Sequence, residues 1–338
     1  LFRSAVVIGH GSLLGVIPKT YLPSYQEFYE ARWFASSRDT EQTTIRIGGH
    51  EVPFGVNILF EHRESPLATA TSLVFGVEVC EDLWATTSPS TDMALAGAQI
   101  IFNLSASNEV VGKASYRLDL VRMQSARCIA AYVYCSAGSH ESSTDVVFAG
   151  HNIICEQGEL LAQSERFSFE PQITVVDVDI ESLDNDRIRN TTFRAELSSR
   201  PFERVALFLH DVSVERLLRP LHRALFLSED PRTKELMCAE ILQLQSTALQ
   251  QRLKHLALPK VVIGVSGGLD STLAVYVCKH AMEQLGLSSS HIVAVSMPGF
   301  GTGSASRSHA LALAKHLDRK STRLNSSHEW ISRMPSSA

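Results

Sequence analysis

The first 180 residues alternate between short β-branched apolar runs and stretches with helical spacing. The runs have strand length and are bounded by glycine, proline and polar residues. Two stretches have apolar residues three and four positions apart, which predicts helices. Ser90 or Thr91 can cap the first helix, and the second covers residues 116–129. The alternation predicts a mixed α/β sheet and not a repeat array. The predicted strands are residues 5–8, 13–17, 44–47, 51–54, 56–60, 73–79, 100–104, 131–135, 145–155, 160–164 and 173–180.

The residue pattern in the second half of the chain predicts a strand–helix–strand unit. Charges are mixed from Pro201 onwards, as in a linker, and Asp230 then caps a long helix that has Pro231 at its first position. Because the two strands that follow are joined through a helix, we expect them to be parallel, with a ligand at their carboxyl ends. The unit comprises a strand over residues 261–265, a helix that ends at Gly286 and a strand over residues 291–297.

A glycine loop joins the first of these strands to its helix. Ser266, Gly267 and Gly268 can turn tightly and expose backbone N–H groups at a helix N-terminus, which predicts an anion-binding loop. Asp270 places a carboxylate where phosphates would sit, and this favours a bridging Mg²⁺. The loop lacks the GxxxxGK[ST] pattern, so no Walker-type lysine is implied. The alternative is a plain turn whose glycines serve only its geometry.

Composition narrows the class of protein. The chain has 338 residues, of which 44% are hydrophobic, and its net charge is −5. We expect two globular domains, no nucleic-acid partner and no membrane span. The six cysteines form no CxxC pair, which favours reduced thiols, no zinc site and a cytoplasmic location. The chain starts at Leu1 without a signal-peptide pattern, so we expect an interior piece of a longer protein.

Lys19 and Cys80 are candidate reactive residues. Lys19 lies at a predicted strand tip beside a dense group of aromatic residues, and Cys80 begins the sequence CEDLW directly after a strand. A thiol at a strand end suits a nucleophile. Aromatic clusters usually form a core or an interface, however, and most single cysteines are buried and inert. Position alone leaves both alternatives open.

The motifs that surround these residues resemble a known family. PKTYLPSYQEFYE, GVEVCEDLW, ALAGAQIIFNLSASNE, GKASYR, QSARC and YVYCSAG are similar, in order and spacing, to the glutaminase domain of the glutamine-dependent NAD synthetases. SGGLDS resembles the pyrophosphate loop of the N-type ATP pyrophosphatases. The resemblance implies a nitrilase-like α-β-β-α sandwich, followed by an incomplete Rossmann-like parallel α/β domain. The implied boundaries are 1–212, 213–317 and a non-native tail, 318–338, which begins with an adapter-like sequence.

The resemblance also implies roles for individual residues. Cys80 would attack the glutamine amide, and Lys19 would favour the thiolate and stabilise the oxyanion. The ammonia would be accepted by deamido-NAD⁺, activated with ATP and Mg²⁺. We expect the full-length protein to be a homo-oligomer. The implied glutamine-binding residues are Tyr25, Ser107 (or Ser105), Lys113 and Glu30. The implied ATP-binding residues are Gly264, Val265, Ser266, Gly267, Gly268, Leu269, Asp270 and Ser271, with Asp270 also on the metal.

The sequence departs from the family pattern at several points. Ala305 stands where arginine is expected and His309 where asparagine is expected. The family pairs its cysteine and lysine with a glutamate upstream of the lysine, but residues 1–18 contain none. Glu30, Glu78 and Glu81 lie downstream, so we expect the chain as given to make no NAD⁺. Two alternatives remain: a catalytically silent assembly domain, and another ammonia-using ATP pyrophosphatase.

Overall fold

The computed structural model describes residues 1–62, 73–141, 146–196, 201–209, 216–219, 221, 226–296 and 304–317. The chain divides into two compact units, Leu1–Leu221 and His222–Ala338. In the first unit the helices are α1 (Pro89–Leu95), α2 (Lys113–Cys128), α3 (Ile180–Arg189) and α4 (Thr191–Ala195). Its strands are β1 (Ser4–Gly9), β2 (Ser12–Pro18), β3 (Thr44–Ile47), β4 (His50–Pro53), β5 (Ile58–His62), β6 (Leu73–Val79), β7 (Ile100–Ser105), β8 (Ala131–Ser136), β9 (Ile153–Glu156), β10 (Glu159–Gln163) and β11 (Glu203–Leu207).

A seven-stranded sheet with the order β10-β9-β8-β7-β6-β5-β11 is the centre of the first unit. The strands β6, β7 and β8 are parallel neighbours, and β11 pairs in parallel with β5 at the edge. Val79 at the end of β6 lies opposite Leu104 near the end of β7. The residues that follow these two strands therefore emerge at one edge of the sheet, where parallel sheets place their ligands.

Strand β6 shows how the two faces of this sheet are used. Val77 and Val79 pack in a cluster with Ala5 of β1 and Ile17 of β2, so the β1–β2 hairpin covers one face. Val74 packs with Met93 of α1, and Gly76 also lies against Met93, so helices cover the opposite face. Successive side chains of a strand point to opposite faces. The layers are helix, seven-stranded sheet and two-stranded sheet, and the predicted mixed α/β class is confirmed.

The strand predicted over residues 173–180 is wrong. The backbone is extended there, but none of these residues belongs to a strand ladder, and α3 begins at Ile180. Ile173 is 90% exposed. The segment is instead attached through a side chain, because the backbone N–H of Asp179 donates to Glu156 Oε2 at 2.8 Å. Alternation within a segment does not reveal which strand, if any, pairs with it.

Several other boundaries differ from the sequence prediction. Helix α1 begins at Pro89 after Ser88, so Ser90 and Thr91 lie inside the helix and do not cap it. The strand predicted over 145–155 is reduced to β9, because the residues before it bond to loops: Glu109 N donates to Val147 O at 2.7 Å and Gly150 N to Ala137 O at 2.9 Å. The region expected to be a linker contains β11, which covers the edge of β5. A sheet edge left open is a site for unwanted pairing, so this strand has a structural role.

The second unit contains α5 (Pro231–Leu256), β12 (Val261–Gly264), α6 (Leu269–Gln284), β13 (Ile292–Val295) and α7 (Ser304–Leu317). The strands β12 and β13 are parallel, as the strand–helix–strand pattern predicts. Asp230 caps α5 by accepting from Thr233 N at 2.7 Å, and Gly286 follows α6 with φ +69°. Ala305 and His309 are exposed on α7, and residues 318–338 lie outside the described residues. No helix in the described part of the chain is long and apolar enough to cross a membrane.

Candidate active site

A cavity of about 390 Å³ lies beside the strand end that carries Cys80. It brings together Cys80 and four of the residues that the resemblance implied for glutamine, which are far apart in the sequence. Lys19 and Ser105 are not part of its lining. The lining residues are Pro23, Tyr25, Gln26, Glu27, Phe28, Glu30, Cys80, Glu81, Trp84, Ser107, Val110, Val111, Gly112, Lys113 and Tyr116.

Cys80 directly follows β6 and starts a single 3₁₀ turn, Cys80–Asp82. Its φ is +54°, in the left-handed region that residues other than glycine rarely adopt. Two hydrogen bonds hold its carbonyl oxygen: Leu83 N donates at 3.2 Å and Asn103 Nδ2 at 3.3 Å. A strained backbone persists only where its surroundings fix it, and such positions cluster at functional sites.

Lys19 follows β2 and is fully buried. Its Nζ donates to Glu30 Oε2 at 2.6 Å, and Arg3 also pairs with Glu30. A buried ammonium group needs such a partner, because water no longer solvates it. Glu30 lines the cavity, so the ion pair places the Lys19 charge directly behind the cavity wall.

Asp82 joins the strand end that carries Lys19 to the turn that carries Cys80. Its Oδ1 accepts from Thr20 N at 3.0 Å and from Tyr21 N at 2.9 Å, and its Oδ2 accepts from Val79 N at 3.1 Å. Burial, assisted by the nearby Glu78, raises the pKa of Asp82 to about 7. The three backbone donors tie both candidate reactive residues to one side chain.

The cavity offers charged groups of both signs. Tyr25 donates its hydroxyl hydrogen to Glu81 Oε1 at 2.6 Å. Lys113 Nζ donates to Asn108 Oδ1 at 2.9 Å and lies 5.3 Å from the centre of the Trp84 ring. Burial and the nearby positive charge of Arg117 lower the pKa of Lys113. A ligand that carries both an ammonium and a carboxylate group finds a complement to each here.

The two candidate serines have different positions. Ser107 lines the cavity and is buried. Ser105 donates to Asn103 Oδ1 at 2.7 Å and is absent from the lining. Ser107 is therefore the serine that a ligand in this cavity can contact.

A buried polar network lies on the helix-covered side of the Cys80 strand. Glu78 accepts from Ser88 Oγ at 2.9 Å, from Ser90 N at 2.8 Å and from Asn103 Nδ2 at 3.3 Å, and Tyr132 also donates to it. Burial raises the pKa of Glu78. A carboxyl group removed from water normally needs several donors, and this one has four.

The glycine loop of the second unit has the predicted form. Gly267 adopts φ +84°, and Gly268 is the residue before the first turn of α6. Ser271 Oγ donates to Gly268 O at 3.0 Å, and Gly268 N donates to Ser266 Oγ at 3.3 Å. The loop thus folds onto the helix N-terminus, whose dipole and N–H groups favour anions.

The other predicted ATP-binding residues flank this loop. The Val265 side chain is buried in the unit's core, so only its backbone can face a ligand, whereas Leu269 is 87% exposed. Gly264 ends β12, and Asp270 is exposed in the first turn of α6. The described residues contain no group of three or more His, Cys, Asp or Glu side chains that could hold a metal ion. On this chain Asp270 would need the ligand's own oxygens to complete a Mg²⁺ site.

Each of the two units matches a known protein family. The carbon-nitrogen hydrolase family matches residues 1–188, more than half of the chain. The chain belongs to the carbon-nitrogen hydrolase family. A second family, NAD synthase, matches residues 241–332. The hydrolase match contains Lys19, Cys80 and the whole cavity, and the NAD synthase match contains the glycine loop.

Curated relatives match this chain over most of its length. The glutamine-dependent NAD(+) synthetase of Mycobacterium tuberculosis is 44% identical over 324 residues, which cover 94% of this chain and 47% of that protein. The protein of the same description from Mycobacterium leprae is 44% identical over 323 residues, again 94% of this chain and 47% of that protein. The chain spans about half the length of the curated relatives it matches.

Solved structures with some likeness to this chain include a glutamine-dependent NAD(+) synthetase from Cytophaga hutchinsonii. It has a TM-score of 0.43 and 18% identity, and the match covers 94% of this chain and 48% of that one. The structure of glutamine-dependent NAD+ synthetase from Acinetobacter baumannii in complex with adenosine diphosphate (ADP) gives a TM-score of 0.40 and 21% identity, over 94% of this chain and 46% of that one.

Sequence reasoning gave four polar residues no place in this carbon-nitrogen hydrolase site, and it considered Glu78 and Glu81 only as substitutes for the missing upstream glutamate. Glu81 lines the cavity, Asp82 ties its two strand ends together, and Glu78 and Asn103 form the network behind Cys80. A usable signal was present for the last two. Each is a polar residue that interrupts an otherwise apolar strand, in LVFGVEV and IIFNLS. In a sheet covered on both faces, such a residue must find a partner inside the protein.

Proposed function

We propose that this chain is the glutaminase part, and the beginning of the ATP-dependent part, of a glutamine-dependent NAD(+) synthetase. The proposed boundaries are 1–212 for the nitrilase-like domain, 213–317 for the start of the ATP-pyrophosphatase domain and 318–338 for a non-native tail. The cavity around Cys80 is the observation that carries the proposal. The similarity to relatives of that description supports it.

The glutaminase step uses Cys80 as the nucleophile. Its S–H bond breaks as the sulfur forms a bond to the side-chain carbonyl carbon of glutamine. The thiol proton ends on the amide nitrogen, and the C–N bond then breaks to release ammonia. Water then cleaves the thioester to give glutamate and restores the thiol. The Lys19 ammonium stabilises the negative oxygen of each tetrahedral intermediate. Glu30 keeps Lys19 oriented through their ion pair.

Glutamine recognition follows from the charges in the cavity. Glu81, with Tyr25 bound to it, suits the α-ammonium group, and Lys113 suits the α-carboxylate. Ser107 supplies a hydroxyl group on the same wall. A matching pair of charges selects a free amino acid over a simple amide, because a ligand without an ammonium and a carboxylate group gains neither charged contact.

The ATP-dependent step uses the glycine loop. ATP adenylates the carboxylate of deamido-NAD⁺ with release of pyrophosphate, and ammonia then displaces AMP to give NAD⁺. The residues from Gly264 to Ser271 hold the phosphates, and Mg²⁺, with Asp270 nearby, neutralises the charge that develops on them. We propose that the full-length protein is a cytoplasmic homo-oligomer whose partners are these small molecules.

Affinity labelling tests the glutaminase assignment directly. In a version extended to the full length of the relatives, a diazo-ketone analogue of glutamine should alkylate Cys80 and spare the other cysteines, and peptide mapping locates the adduct. The exposed Cys135 and Cys238 provide the control, because iodoacetamide should reach both. Burial raises the pKa of Cys128 and of Cys155 to about 12, so neither forms a thiolate readily. A label found mainly on Cys128 or Cys135 would sink the assignment.

A further inference from the structure

We propose that Asn103 and Glu78 are positioning residues that fix the backbone of Cys80 in the conformation from which its thiol reacts. The inference rests on the proposed role of Cys80 as a nucleophile. Neither side chain lines the cavity, so both act through the Cys80 backbone and do not touch the substrate. Their positions, 25 residues apart in the sequence, become neighbours because Glu78 on β6 lies opposite Asn103 on β7.

The orientation of the Asn103 amide is fixed by its neighbours. Its Nδ2 lies 3.3 Å from Cys80 O and 3.3 Å from Glu78 Oε1. A carbonyl oxygen and a carboxylate oxygen both need a donor, so the NH₂ group must point towards them. The amide oxygen then faces Ser105 Oγ, which donates to it at 2.7 Å. Each polar atom of Asn103 has one suitable direction.

Glu78 holds Asn103 in that orientation and is itself immobile. It is 1% exposed and Asn103 is fully buried. Ser88 and Ser90, at the start of α1, occupy its second oxygen, while Tyr132 and Asn103 occupy the first. A network in which every member is satisfied is rigid. Through Asn103, the network restrains one atom of the reactive residue, the carbonyl oxygen of Cys80.

The left-handed backbone of Cys80 explains why this support is needed. An L-residue at φ +54° is strained relative to the ordinary helical or extended regions. Without the Asn103 donor, Leu83 N is the remaining described donor to the Cys80 carbonyl. The peptide can then rotate towards a relaxed conformation, and this rotation moves the thiol away from a substrate held by the cavity.

The first experiment measures saturable labelling of Cys80 by the glutamine-like diazo-ketone in a version extended to the full length of the relatives. Asn103→Leu preserves side-chain size but removes the hydrogen bonds to Cys80, Glu78 and Ser105. We expect the maximal labelling rate to fall about tenfold, the effect expected of one lost buried hydrogen bond, while the concentration for half-maximal rate stays unchanged. Gln99→Leu is the matched control. Gln99 is a buried amide that binds Val74 at the opposite end of β6, and its loss should leave the labelling rate unchanged.

A double variant separates positioning from support of the fold. Glu78→Gln combined with Asn103→Asp reverses the pair, so that residue 78 donates to residue 103, and the pair is restored without a side-chain donor to the Cys80 carbonyl. We expect the thermal midpoint to recover relative to Asn103→Asp alone, while the labelling rate stays low. If the labelling rate recovers with the midpoint, the network serves the fold alone and the inference is overturned.

The outcomes also distinguish this inference from the proposed function. Absence of Cys80 labelling in the unaltered chain would contradict the glutaminase assignment itself. Normal labelling in the unaltered chain, with an equal rate in a folded Asn103→Leu variant, would overturn only the positioning role. Near-ultraviolet circular dichroism establishes folding. If Asn103→Leu does not fold, the double variant decides, because an unchanged labelling rate in that variant equally overturns the inference.

Discussion

Replacing Asp82 with asparagine removes a buried titratable group and keeps the shape of the side chain. Asp82 is 1% exposed and accepts hydrogen bonds from the backbone of Thr20, Tyr21 and Val79. Asparagine can keep the first two bonds with its single oxygen. Its NH₂ group then faces the Val79 N–H, which loses its acceptor at a cost of about 1–2 kcal/mol.

The pH dependence of the free energy of unfolding should distinguish the unaltered chain from the Asp82→Asn variant. Burial, followed by the negative charge of Glu78, raises the pKa of Asp82 from 3.8 to about 7. The folded chain therefore holds this proton more tightly than the unfolded chain does, and the free energy of unfolding falls as pH rises through this window. Between pH 5 and pH 8 the fall amounts to about 2–3 kcal/mol. The asparagine side chain cannot titrate, so the variant should lack this contribution.

Urea unfolding at pH 5 and at pH 8, followed by tryptophan fluorescence, provides the measurement. Trp84 lies two residues from Asp82 and reports on the first unit. The variant should be the less stable chain at pH 5, and by pH 8 the difference should vanish or reverse. Asp39→Asn, at an exposed aspartate that caps a 3₁₀ turn, supplies the control curve. Parallel pH dependences for wild type and Asp82→Asn would refute the reasoning.

Two further predictions concern charged groups. Lys19→Met should destabilise the first unit by about 3–5 kcal/mol in urea unfolding, because Glu30 loses its Lys19 partner and keeps Arg3. Adding Glu30→Gln to this variant should recover at least half of the lost stability. Losses that simply add in the double variant would contradict this pairing. In a version extended to the full length of the relatives, Asp270→Asn should abolish AMP formation when ammonia is supplied directly, while glutamate release persists. AMP formation near the normal rate would exclude a role of Asp270 in metal binding.

Local patterns predicted the elements that carry the site. An apolar run that only Glu78 interrupts places β6 correctly and puts Cys80 at its end, where the structure has it. The turn at Gly48 and Gly49, both at positive φ, and the glycine loop at Gly267 also follow from residue type, because glycine tolerates these conformations. In each of these cases the determining interactions lie within a few residues of one another.

Features that depend on distant partners were not predictable in the same way. Residues 203–207 pair with β5 to form β11, whereas the alternating residues 173–180 belong to no strand ladder among the described residues. Glu78 meets Asn103 and Tyr132 only through the order of the parallel strands. The sequence places these side chains in strands but does not state which strands are neighbours.

The pairing of β11 with β5 also constrains how the chain is made. A ribosome completes β5 long before it produces β11, since His62 and Leu207, partners in this pairing, are 145 residues apart. During that interval the edge of a growing sheet is available to other nascent chains, which is a common route to aggregation. Contacts of such long sequence separation also form slowly, because a large loop must close first. Protection of this edge by a chaperone during synthesis would therefore matter more for the yield of folded protein than for its final stability.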